Sequence, residues 1–279
     1  VTPHDAASVS LTGAEERDQA QPDTMWNWYR RYYSAAPGSQ AHGALCERLY
    51  GRDLCQHGFA DMQQVGRLLG VLHLRPGSPV LELGCGSDGI AEYISDLTGA
   101  HVTGLDNSPE AIALAERRAL PKADRLRFVL GSMDHMDFPA ATFDAIIAID
   151  ALYFTDLDNT VAQMQTVVRP GGEMGILYSH GADPQVPIAV FPCETLPPDK
   201  TPLAQAWQRH RLAYQTWDLT PDDYQHARRK KAVAEQLRPQ FEAEGNLFLY
   251  ENRHGEAEGV MAAIEVGAHR RYLYRCHHL

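Results

Sequence analysis

Apolar residues recur along the chain with two different periods, and the switches between those periods mark its elements. Met62, Val65, Leu68, Leu69 and Leu72 fall three or four apart, the spacing of one helix face, just before Pro76-Gly77. Ahead of them Trp26, Trp28, Tyr29, Tyr32 and Tyr33 crowd a short stretch of helical texture, so two or three helices precede the first glycine-rich turn. The pattern then changes to brief apolar runs. Pro79 to Leu83, His101 to Leu105, Arg127 to Leu130, Phe143 to Ile149 and Glu173 to Tyr178 read as strands. Between them lie helical stretches: Ile90 to Leu97, a helix capped by Ser108, begun by Pro109 and running to Arg118, and one after Asp158 that stops at Arg169-Pro170-Gly171-Gly172. Buried strands alternating with helices predict an α/β fold, a parallel sheet with helices on both faces.

After His180 the alternation breaks. Residues 181 to 200 are proline-rich and irregular, and Thr201-Pro202 and Thr220-Pro221 each open a helix. On the first of these, Leu203, Trp207, His210, Tyr214 and Trp217 share one face by spacing, which suits either packing against the sheet or the wall of a pocket. Asn246 to Tyr250 reads as a strand, Glu256 to Val266 as a helix and Arg271 to Cys276 as a last strand. Residues 1 to 23 lack either period and read as a mobile tail. The expected organisation is a tail (1–23), N-terminal helices and lid (24–75), an α/β core (76–180), a helical cap over the substrate (181–240) and strands completing the sheet (241–279).

Composition narrows the function classes. With 279 residues and 44% hydrophobic content the chain can bury a sizeable core. No apolar run approaches the roughly 18 residues of a membrane span, and no basic segment leads into an apolar one, so the expectation is a cytoplasmic protein without a membrane partner. A net charge of -11 opposes binding to nucleic acid. The five cysteines, Cys46, Cys55, Cys85, Cys193 and Cys276, show no CxxC spacing, and the histidines form no HExxH, so buried free thiols are expected in preference to a metal site. Oligomerisation as a homo-oligomer stays open.

The chemistry concentrates in VLELGCGSDG, residues 80 to 89, which ends in a GxGxxG turn between strand and helix. A dinucleotide would set its pyrophosphate there, against backbone N–H groups and a helix N-terminus. Glu82, two residues before Gly84, directs a carboxylate to the same region, where it repels pyrophosphate and suits a cationic group. Asp106 ends the next strand, twenty residues after Gly86, and can accept from both hydroxyls of a ribose. That feature serves NAD and S-adenosylmethionine (SAM) alike.

In VLELGCGSDG (80–89), VTGLDNSPEAI (102–112), LGSMDHMDFP (130–139), FDAIIAIDALYF (143–154) and VVRPGGEMGI (167–176), taken in order, the chain resembles the class I SAM-dependent methyltransferases. The resemblance implies a Rossmann-like, seven-stranded, mostly parallel sheet, SAM as cofactor and S-adenosylhomocysteine as product. It places Glu82, Gly84, Cys85 and Gly86 around the methionine part, Asp106 and Asn107 at the ribose, Ser132 and Met133 beside the adenine, and Asp150 next to the sulfonium. Many members are acidic where Ser132 stands, so Asp134 or backbone takes that role here. Leu54 to Phe59 is similar to the histidine-glycine-aromatic segment that lies over the cofactor in small-molecule methyltransferases, which makes Gln56 a cofactor contact and Phe59 a substrate contact; a helix-capping loop is the other reading. The family's C-terminal strand pair is matched by NLFLYENR (246–253) and RYLYRC (271–276).

The expected activity is methyl transfer to the oxygen, nitrogen or carbon of a small molecule with an aromatic or apolar part. His57 is the candidate base, because its unperturbed pKa of about 6.5 lies near working pH, and Tyr153 is the core residue expected at the reacting acceptor. Trp207, Tyr214 and Tyr153 are the expected acceptor wall, with Tyr33 of the N-terminal helix also at the substrate. An anionic acceptor, an NAD-dependent oxidoreductase and a SAM-binding protein without methyl transfer are the competing readings.

Overall fold

The computed structural model describes residues 25–181 and 188–278, so the expected tail, residues 1 to 23, lies outside it. Among the described residues three helices come first, α1 (Met25–Ala35), α2 (Gln40–Tyr50) and α3 (Met62–Val71). The Asp61 side chain caps α3 by accepting from the N–H groups of Gln63 and Gln64. Then follow β1 (Pro79–Leu83), α4 (Gly89–Thr98), β2 (His101–Asp106), α5 (Pro109–Ala119), β3 (Leu126–Leu130), β4 (Phe143–Ile149), α6 (Leu157–Val167) and β5 (Val168–Gly181). The chain closes with α7 (Pro202–Arg209), β6 (Tyr214–Asp218), α8 (Thr220–Ala243), α9 (Leu247–Glu265) and β7 (His269–His277).

The seven strands form one sheet in the order β3-β2-β1-β4-β5-β7-β6. The first five are mutually parallel, and β7 runs antiparallel between β5 and β6. Alternation along each strand divides the core in two. Val80, Val102, Ala145 and Ile147 meet α3, α4 and α5, while Leu81, Leu83, Ile146 and Ala148 meet α6 and α7. A third apolar cluster joins Tyr32 and Leu45 of the first helices to Leu237, Phe241 and Leu249 of α8 and α9. Strand order reverses at β1, which has β2 on one side and β4 on the other, and a crevice opens beyond their carboxyl ends.

Two expected elements differ from the structure. Asn246 to Tyr250 is not a strand but the start of α9, whose buried residues Leu249, Tyr250, Arg253 and Ala257 keep helical spacing. An apolar run of this length suits either element, and here packing against α8 decides. The helix opened by Thr201 ends at Arg209, and the chain turns through Arg211 in a left-handed conformation at φ 59°. Tyr214 and Trp217 therefore belong to the edge strand β6 and do not share a helix face with Trp207. Cys46, Cys55, Cys85 and Cys276 are buried free thiols as expected, whereas Cys193 is exposed.

Candidate functional site

The crevice at β1 and β4 holds a cavity of about 1090 Å³, a figure that includes its open mouth. Its floor is the turn after β1. Gly84 and Gly86 adopt φ of 69° and 56°, a region costly for residues with a Cβ. A Cβ at Gly84 would stand 2.4 Å from that of Ala151, and one at Gly86 would stand 2.9 Å from the Tyr33 hydroxyl. Asp106 holds this turn from the end of β2. Its Oδ2 accepts the Gly86 N–H at 2.9 Å and its Oδ1 accepts the Ser108 N–H at 2.9 Å.

Glu82 lines the cavity at only 3% exposure, and among the described residues its Oε2 has no hydrogen-bond partner. Burial, reinforced by the nearby acids Asp88 and Asp106, pushes its carboxyl well above the usual range. A cation placed here would reverse that shift. Cys85, Asn107, Ser132 and Met133 also line the cavity, with Asp134 beside them.

The other wall comes from outside the core. Tyr29 and Tyr33, four residues apart on α1, face the cavity together with Gln56, His57 and Gly58. The Gln56 amide donates to the carbonyls of Gly58 (3.2 Å) and Ala60 (2.8 Å), which holds this covering segment in a tight turn. His57 sits among the rings of Trp28, Tyr29 and Tyr32 at 4.8 to 5.0 Å, and its carbonyl accepts from Arg253 Nη1 at 2.7 Å. Burial, followed by the charges of Arg253 and Lys230, holds its imidazole well below the usual pKa, so the ring is neutral and resists protonation. That direction disfavours the role of base.

Asp150 lines the cavity too, yet its carboxylate is spent on structure. Oδ2 accepts the N–H groups of Phe59 (2.8 Å) and Ala60 (3.0 Å), and the buried Arg271 of β7 pairs with both oxygens. The Arg271 guanidinium and the two amides hold the Asp150 carboxyl below its usual range in spite of burial. A backbone φ of 54° at Asp150 directs the side chain to this junction.

Four expected site residues stand elsewhere. Phe59 reaches Asp150 only through its backbone; its ring lies against His226 (5.2 Å) and under Lys230 Nζ (4.4 Å), outside the cavity lining. Tyr153 also lies outside the lining, since its hydroxyl donates to Asp150 Oδ1 at 3.2 Å and accepts the Ser179 N–H at 2.7 Å. Trp207 is fully buried against Tyr214 and Tyr274 on the face covered by α6 and α7. Tyr214, on β6, packs with the same pair and accepts from the Gln208 amide, so this aromatic group is core and not an acceptor wall. Conversely Tyr29 and Phe154 line the cavity; both belong to aromatic stretches visible in the sequence. No local signal marks Arg253 and Arg271, whose partners at the site, His57 and Asp150, lie more than a hundred residues away.

A doubly wound sheet with a glycine turn, a buried acid at the end of β1 and a second acid at the end of β2 defines a Rossmann-like fold with a candidate ligand crevice. Residues 80–172 match the family described as methyltransferase domain. A sterol 24-C-methyltransferase of Gibberella zeae is 31% identical over 172 residues, 57% of this chain and 43% of that protein. The chain thus spans less than half the length of this curated relative. Among solved structures, geranyl diphosphate C-methyltransferase from Streptomyces coelicolor has the same fold at a TM-score of 0.62 and 17% identity, over 78% of this chain and 76% of that one. The cyclase SpnF superposes at 0.64 with 16% identity, over 93% of this chain and 97% of its own. Over residues 80–172 the chain is thus similar to the class I SAM-dependent methyltransferases.

Proposed function

We propose that this chain binds SAM in the crevice and transfers its methyl group to a small, uncharged, partly apolar acceptor, with carbon as the methylated atom. The observation that carries the cofactor assignment is Glu82: a buried carboxylate oxygen without a partner, at the end of β1, beside two glycines that leave the backbone bare. This arrangement fits an ammonium and repels a pyrophosphate. Glu82 and the Gly84 to Gly86 turn would hold the amino-acid part, Asp106 the ribose, and Ser132 and Met133 the adenine. When bound, SAM supplies an electrophilic methyl group on a sulfonium.

The acceptor class follows from the charge of the lining. Glu82, Asp106, Asp134 and Asp150 contribute to the described lining, and no lysine or arginine does, so an anionic acceptor finds no counter-charge there. The rings of Tyr29, Tyr33 and Phe154 offer aromatic faces suited to an apolar group and to positive charge developing on carbon. His57, held neutral, is poorly suited to removing a proton from oxygen or nitrogen before transfer. The similarity to sterol 24-C-methyltransferases supports carbon as the methylated atom. These residues position the acceptor and exclude water, and positioning is much of what such a displacement requires.

The test is calorimetry followed by turnover. SAM and S-adenosylhomocysteine should bind at micromolar scale and NAD should not. With methyl-labelled SAM, label should pass to neutral alkenes or electron-rich rings in preference to their phosphorylated counterparts. Tighter binding of NAD than of SAM would overturn the cofactor assignment. Preferential labelling of a phosphorylated acceptor, or of oxygen or nitrogen, would overturn the acceptor class alone.

A further inference from the structure

Behind the covering segment, away from the cavity, α2 and the residues after it gather three metal-ligating side chains. His42 and Cys46 stand one turn apart on α2, both fully buried, with His42 Nδ1 3.7 Å from Cys46 Sγ. Asp53 brings its carboxylate to the same place, so that one ligand atom from each of the three lies within 4.8 Å of the others. Gly43 admits the acid, since a Cβ there would stand 3.1 Å from Asp53 Oδ2.

Hydrogen-bond directions fix the imidazole tautomer. The Tyr32 hydroxyl donates its single hydrogen to the Cys55 carbonyl at 3.1 Å. Its contact with His42 Nε2 at 3.2 Å must then be one in which Nε2–H donates. Nδ1 therefore carries the lone pair, and Nδ1 is the nitrogen that faces Cys46. A histidine held through its far nitrogen, with the near one aimed at a thiol and a carboxylate, is arranged as an oriented metal ligand. Tetrahedral zinc, at about 2.3 Å from sulfur and 2.0–2.1 Å from nitrogen, separates those two atoms by about 3.6 Å, close to the separation present here.

We propose that His42 Nδ1, Cys46 Sγ and an Asp53 oxygen bind a zinc-type divalent cation, with a water reaching the fourth position from the exposed side of Asp53. The mixed nitrogen, sulfur and oxygen set favours zinc over magnesium or calcium. Binding forms a metal–thiolate bond and releases the Cys46 thiol proton to solvent, with no change of oxidation state. The site stands at the root of the covering segment: Asp53 Oδ1 accepts the Cys55 N–H at 2.9 Å, and Cys55 leads directly into Gln56 and His57. An ion here would pin that root to α2.

The experiment uses the full chain, stripped with chelator and titrated with Co²⁺ and then Zn²⁺. One equivalent of Co²⁺ should give tetrahedral d–d bands and a thiolate-to-cobalt charge-transfer band, and Zn²⁺ should abolish both. Cys46→Ala should remove the charge-transfer band, and Asp53→Asn, at an exposed position that leaves the core intact, should weaken binding by about tenfold or more. Cys193→Ala should change nothing. Absence of a stoichiometric cobalt spectrum, survival of the charge-transfer band in Cys46→Ala, or unchanged affinity in Asp53→Asn overturns the proposal. None of these readouts depends on methyl transfer.

Discussion

Asp88 carries two uncompensated costs at once. It is fully buried in a left-handed conformation at φ 83°, and neither carboxylate oxygen has a hydrogen-bond partner among the described residues. Burial, with Glu92 adding to it, pushes its carboxyl from 3.8 up to about 7. A carboxyl raised on folding stabilises the folded chain fully below its unfolded value, and that contribution is lost as pH rises through the folded one. The wild-type unfolding midpoint should therefore fall between pH 5 and pH 8. Asp88→Gly should flatten that dependence and remove about 1–2 kcal/mol of backbone strain, raising the midpoint most at pH 8. A variant less stable than wild type at pH 8 would mean that this carboxylate has a partner after all. Glu82 is the functional counterpart. Because its carboxyl is raised in the free protein and must ionise to pair with an ammonium, SAM affinity should increase with pH. Glu82→Gln, close in shape to the protonated acid, should bind SAM about 10- to 100-fold more weakly, in line with roughly 1.5–3 kcal/mol for a charged hydrogen bond. It should bind without that pH dependence. Calorimetry at two pH values on both proteins decides it.

At the scale of elements, the covering segment is held by two distant arginines. Arg253 of α9 takes the His57 carbonyl, and Arg271 of β7 fixes the Asp150 carboxylate that receives the Phe59 and Ala60 amides. Arg253→Met should raise hydrogen exchange at residues 56 to 60 in the free protein while leaving the sheet unchanged, and saturating SAM should restore part of the protection. Equal exchange in variant and wild type would show that Gln56 and Asp150 hold the turn without Arg253. The same elements show what sequence can and cannot reveal. β1, β2 and β4 are legible because both faces are buried, which leaves continuous apolar runs, and the residues at their carboxyl ends are legible with them: Glu82, Gly84, Gly86 and Asp106 all line the cavity. Asn246 to Tyr250 was ambiguous because four apolar residues fit either period, and only contact with α8 settles it. Trp207 and Tyr214 fit one helix face by spacing, but the left-handed residue Arg211, which breaks the helix, carries no glycine to betray it.

Across the whole molecule, the acidic excess extends into the cavity: a chain of net charge -11 lines it with four acidic side chains, of which Asp150 is paired with Arg271, and, among the described lining, with no lysine or arginine. Long-range attraction should therefore favour cationic over anionic ligands, and raising salt should weaken SAM association while improving the capture of any anionic competitor. Stopped-flow association rates at two ionic strengths read this directly. The sheet order has a further consequence, for the timing of folding. β7 lies between β5 and β6 although it follows both in the chain, so the growing polypeptide presents two unpaired strand edges until residue 277 has been made. At synthesis rates of about 5–20 residues per second, the sixty residues from β6 to β7 take several seconds to appear. During that interval the half-sheet β1 to β5 can form around the glycine turn, but Asp150 waits for Arg271. The ligand crevice is thus made early and its cover late, and a nascent chain stalled before β7 should aggregate through the open edge of β5 instead of binding as the finished protein does.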